Sequence, residues 1–111
     1  MAAVLNIFKT VTVDATTTMT SIYTAPTGYT GVILMAQVSN ITGNTIQVSA
    51  NVARTAGSKS LVKNISVPTE DAMGLLTGRL VLEPSDSFAI QASANSSAQL
   101  TLSVLETLAE S

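Results

Sequence analysis

Apolar residues recur at every second position over short stretches, and clusters of Gly, Asn, Ser and Pro separate the stretches. A period of two suits strands with one buried face and does not suit amphipathic helices, whose period is 3.6. Ile46, Val48, Ala50 and Val52 alternate with Gln47, Ser49 and Asn51, and Leu100, Leu102 and Val104 repeat the pattern near the C-terminus. Leu5, Ile7, Val11 and Val13 share a phase interrupted by Lys9, with Phe8 on the other face. Between residues 30 and 40, Val32, Leu34, Ala36 and Val38 fall on one face and Ile33 and Met35 on the other, as in a central strand buried from both sides.

Turn chemistry sets the connections. Pro26 and Gly28 mark a turn in which Gly28 takes the left-handed position, and residues 54–59 form a polar loop. Segments 30–40 and 45–53 read as one hairpin about residues 40–44. Segments 78–83 and 87–92 read as a second, about Glu83-Pro84-Ser85-Asp86, with Asp86 accepting backbone hydrogen bonds inside its turn. Only residues 69–76 have helical character: Thr69 can cap and Glu70 and Asp71 follow, while Gly74 limits the piece to about one turn. The sum is about eight strands, hence an all-β fold, an antiparallel β-sandwich or jelly-roll-like arrangement. With 111 residues there is one core, divided as an N-terminal strand or arm at 1–13 and a single β-sandwich domain at 14–111.

Composition excludes most chemistry. The chain has no Cys, His or Trp, which removes disulfides, thiolate nucleophiles, zinc fingers and imidazole proton carriers. Five basic residues and a net charge of -2 give no footprint for nucleic acid. The longest uncharged apolar run, residues 32–36, falls far short of the roughly 20 residues of a membrane helix. The N-terminus lacks the plan of a signal peptide, so the chain is expected to be assembled in a cytoplasm with no membrane partner. Glu70 and Asp71 are adjacent and Glu83 and Asp86 flank a proline turn, a poor basis for a facing glycosidase pair or a calcium cage. No catalytic, cofactor-binding or metal residue is therefore assigned, no cofactor is expected, and the chain reads as a non-enzyme. Of the four aromatics, Phe8, Tyr23, Tyr29 and Phe88, only Tyr29 is expected at the surface, which makes a weak carbohydrate platform.

Charged residues are only 11% of the chain, against roughly 25% in ordinary soluble domains, and none lies between Ala15 and Ala53. Monomers protect open sheet edges with Lys, Glu or Pro, so these uncharged segments are expected to meet other copies or partners. Val4, Leu5, Ile7 and Phe8 place apolar side chains on both faces of the first segment, more than an edge strand can bury within its own sandwich, and they are the expected interface residues.

Residues 22–28 (IYTAPTG), 75–88 (LLTGRLVLEPSDSF) and 102–106 (LSVLE), in this order and spacing, resemble the small virion structural proteins of tailed bacteriophages, cyanophage members included. The resemblance covers residues 20–106 and brings no catalytic motif. It implies a β-sandwich virion component, foremost a trimeric capsid decoration (cement) protein stabilising the head shell. Its implied partners are its own copies and the major capsid protein or other virion proteins. A neck, tail or fibre-attachment component and a carbohydrate-binding host-adhesion module are the alternatives.

Overall fold

The computed structural model describes residues 6–76 and 78–108, and within them the chain forms nine strands and no helix. They are β1 (Asn6–Asp14), β2 (Thr20–Thr24), β3 (Tyr29–Asn40), β4 (Ile46–Arg54), β5 (Gly57–Val67), β6 (Ala72–Gly74), β7 (Leu80–Leu82), β8 (Ser87–Ala92) and β9 (Ala98–Leu108). One sheet runs β1-β9-β3, and beyond β3 the two short strands lie end to end, β6 against residues 37–39 and β7 against 31–33. The other runs β2-β8-β4-β5. Every pairing is antiparallel.

The core lies between the sheets. Ile33, Val38, Leu82, Leu100, Leu102 and Val104 of the first sheet and Val48, Val67, Phe88 and Ile90 of the second are each at most 1% exposed. The alternation read in β4 and β9 is the observed one: Ile46, Val48 and Ala50 point inward, as do Leu100, Leu102 and Val104. β9 is bonded on both edges, to β1 and to β3, so its period of two sets the facing of both neighbours.

Five local expectations are corrected. In β3 the register against β9 shifts between Ile33 and Met35, leaving Leu34 as a bulge residue. The inward set is therefore Gly31, Ile33, Ala36, Val38 and Asn40, and the face assigned to Val32 and Leu34 is outward at that end. β3 and β4 form no hairpin, because they lie in opposite sheets, and the same holds for β7 and β8. Both segments of each pair have a face to bury, and connecting them across the sandwich buries both faces against each other. The expected polar loop at 54–59 is largely strand: Arg54 pairs with Gly57, whose φ is 129°, so the β4–β5 turn is a tight hairpin. The expected helical turn at 69–76 is a bend followed by β6. The Asp71 N–H donates to Pro68 O, Glu70 adopts φ 54°, and the N–H groups of Asn40 and Leu75 donate to Asp71 O and Ala36 O. A free β3 edge offered those backbone groups partners that one helical turn could not.

Asn40 fixes the β3–β4 crossing. It is 2% exposed; its Nδ2 donates toward Asn44 O at 2.7 Å and Val67 O at 3.1 Å, and its Oδ1 accepts from Thr42 N and Thr42 Oγ1. The turns at Gly28, with φ 85°, and at Glu83–Asp86, where the Asp86 Oδ2 accepts from Glu83 N at 3.0 Å, follow the sequence reading.

Phe88 fills the middle of the core with no exposed surface. Phe88→Ala should cost about 3–5 kcal/mol, a large part of the roughly 5–15 kcal/mol that holds a domain folded. Urea unfolding measures it, and a loss below about 1 kcal/mol would contradict this packing.

Candidate functional site

Two ionic clusters and the sheet surfaces are the places where this chain could act. The first cluster continues the inward phase of β9: after Leu100, Leu102 and Val104 the next inward residue is Glu106, 2% exposed. A carboxylate there must be satisfied on both oxygens or its desolvation is prohibitive. Tyr23, reaching across from β2 in the other sheet, donates its Oη to Glu106 Oε2 at 2.6 Å, and Lys9 of β1 sets its Nζ 3.2 Å from Oε1. Gly31 lies directly across from Glu106 on β3 and makes room for the ring: a Cβ at that position would stand 2.8 Å from the Tyr23 Oη. Burial, and then the hydrogen bond to and charge of Glu106, push the Tyr23 phenol well above the usual tyrosine range, so it remains a proton donor. Both carboxylate oxygens are engaged and the residue is 2% exposed, so the arrangement ties the two sheets together in a place closed to solvent.

The second cluster joins the β4–β5 hairpin to the β7–β8 turn. Arg54 meets Glu83 at 3.0 Å and Asp86 at 3.1 Å, and Asp86 is 7% exposed. Of the remaining acids, Asp71 accepts from Ala72 N at 2.8 Å within its own bend. Glu83 and Asp86 thus share one guanidinium on the same side and do not face each other across a cleft. Among the described residues no group of three or more acids could hold a metal ion.

The expected interface residues fall partly inside the described chain. Val4 and Leu5 lie outside the described residues. Ile7 is half-buried on the inner side of β1, and Phe8 on the outer side is 74% exposed. Tyr29, expected at the surface, is half-buried at the start of β3, so Phe8 is the aromatic side chain that stands in solvent.

The uncharged stretch from 15 to 53 has a structural cause that its composition did not show. β3 and β4 are interior strands, and of that stretch only β2, with five residues and a register shift, borders a sheet. The edges differ in openness. β5 carries Lys59 and Lys63 and two register shifts, and β6 and β7 have three residues each. β1 pairs with β9 over nine consecutive residues without a shift, and its other edge is unpaired among the described residues. It is the long regular edge of the molecule.

No protein-family model matches this chain. No curated protein matches it either. Its fold is shared with the subunit of the Bacillus endospore appendages, a family of disulfide-linked pili, with a TM-score of 0.55 over 95% of this chain and 90% of that one at 16% identity. A pentameric capsid protein from metagenomic phage sequences superposes with a TM-score of 0.42 at 16% identity, over 89% of this chain and 62% of that one, below the level that establishes a shared fold.

The tie predicts a pH signature. An unfolded tyrosine titrates near 10, and Tyr23 in the fold is held above that. Its contribution is therefore complete below about pH 10 and is lost as pH rises beyond it. Tyr23→Phe should lower stability at neutral pH by about 1–3 kcal/mol, through the unpaired carboxylate. It should also flatten the alkaline decline seen in urea midpoints. A variant that parallels the wild type from neutral to strongly alkaline pH rules out the tie.

Proposed function

We propose that this chain is a non-enzymatic structural subunit of a bacteriophage virion, a capsid decoration protein held on the head shell by subunit contacts. A neck, tail or fibre-attachment position is the second placement. The observation that carries the reading is β1: an edge strand of nine residues with no bulge or proline, whose one lysine, Lys9, is paired with Glu106, and which also presents Phe8 to solvent. Strand addition along that edge would satisfy its free backbone groups, and Val4, Leu5, Ile7 and Phe8 would form the contact segment.

The phage assignment rests on the sequence motifs at 22–28, 75–88 and 102–106. The appendage fold is compatible with a subunit made for polymeric assembly. The appendages are disulfide-linked, whereas this chain has no cysteine, so its copies must hold together through backbone pairing and apolar contact. A trimer is the expected homo-oligomer, formed head to tail through such an edge.

Antibody raised against the chain, followed by gold labelling of purified virions, tests the placement. Gold over the head surface is the expected result, gold on the neck or tail selects the second placement, and unlabelled particles overturn the reading. Self-association, followed by sedimentation, should change little between about 0.05 and 1 M salt, because few charges take part. Dissociation at moderate salt contradicts the contact chemistry proposed.

A further inference from the structure

The outer face of the β1-β9-β3-β7 sheet carries an apolar row that the sandwich itself does not cover. Phe8 is directly across from Leu105, Leu105 from Val32, and Val32 from Val81, one residue on each of four neighbouring strands. Phe8 and Val81 at the two ends are 74% and 58% exposed, and Leu105 and Val32 between them are half-buried. The bulge at Leu34 adds a further side chain to this side, and Leu34 bounds a shallow depression of about 260 Å³ together with Phe8, Thr10 and Ser103. The facing of the second sheet is different: Gln47, Ser49, Asn51, Ser87 and Gln91 give it a neutral hydrogen-bonding surface.

We propose that this face is a docking surface for a second copy of the chain, packed sheet to sheet about a two-fold axis with the Phe8–Leu105–Val32–Val81 row at its centre. The inference rests on the subunit reading above and names one of its contacts. One feature selects a second copy as the occupant, and charge and area are compatible with it. The row places a projecting ring, Phe8, beside a depression that the same face supplies, and a two-fold contact requires one surface to hold both knob and hole.

Charge permits the pairing. Asp14 at the end of β1 and Arg79 before β7 are one acid and one base, and Lys9, which also lines the depression, is paired with Glu106, so two copies meet without net repulsion. Area permits it too. Strands about 4.8 Å apart and about 3.3 Å per residue give three nine-residue strands and the three-residue β7 a face of roughly 450–500 Å², under the lower bound of about 600 Å² per partner for stable specific interfaces, so the pairing is a weak one. Packing of this kind acts perpendicular to the sheet, so the backbone edge of β1 stays available for a lateral neighbour.

Phe8→Ser and Val81→Lys test the face, since both side chains are mostly exposed and neither substitution opens the core. Sedimentation equilibrium over a range from about 1 to 500 µM is the measurement, with thermal unfolding as the control for folding. The wild type should populate dimers of the 11.4 kDa chain, or hexamers where trimers pair through this face, and each variant should weaken the pairing at least tenfold with an unchanged unfolding midpoint at about 1 µM, where the pairing does not contribute. Val81→Lys is informative by itself, because it lies at the opposite edge from β1 and does not touch a lateral contact made there. Association of both variants equal to that of the wild type overturns the face. Virions that bind no antibody while the two-fold pairing persists defeat the virion assignment alone.

Discussion

A carboxylate at full depth between two sheets can exist only if both its oxygens are bonded, and Glu106 meets that condition through Lys9 on its own sheet and Tyr23 on the other. The tie sets the distance between β2 and β9 at one end of the sandwich. At the other end Asn40 does equivalent work, bonding backbone groups from the β3–β4 and β5–β6 connections. Between these polar pins the core is built from apolar side chains, Phe88, Ile90, Leu100 and Leu102 among them. Hydrophobic packing is tolerant of sliding, whereas hydrogen bonds to a buried charge or amide are not, so the pins fix one alignment of the sheets out of the several that the apolar faces would allow.

That alignment explains the order of the chain. β1, β3, β6, β7 and β9 belong to one sheet and β2, β4, β5 and β8 to the other, so most connections cross the sandwich and only β4–β5 turns back on itself. Arg54 closes the end where two of these connections meet, bonding Glu83 and Asp86 from the β7–β8 crossing. Its partners are acids on a proline turn, and their negative charge is used within the fold. The chain keeps little charge for its surface, and what remains at β5, Lys59 and Lys63, guards one of the two long sheet edges.

The two sheets then present unlike exteriors. One carries neutral amides and hydroxyls, suited to water. The other carries an apolar row ending in Phe8, next to the β1 edge, which is unpaired among the described residues. Contacts made through such an apolar row and a strand edge would depend little on salt, because few charges take part.

The sequence by itself determined the strands whose partners matter least. The period of two in β4 and β9 reports which side chains face the core, whatever strand lies alongside, and the turn residues Gly28 and Asp86 act within a few residues of chain. What only the tertiary structure decided were the relations between distant segments. Neither the bulge at Leu34 nor the assignment of β3 and β4 to different sheets leaves a local mark, since a strand reads the same beside either neighbour. The strand at Ala72–Gly74 exists because β3 offered an open edge, overriding a weak helical preference. In the sequence, Glu106 is simply the next position in the phase of Leu100, Leu102 and Val104. Its role became visible only when Tyr23, 83 residues earlier, and the vacant Cβ position of Gly31 were brought against it, because long-range contacts select what local pattern leaves open.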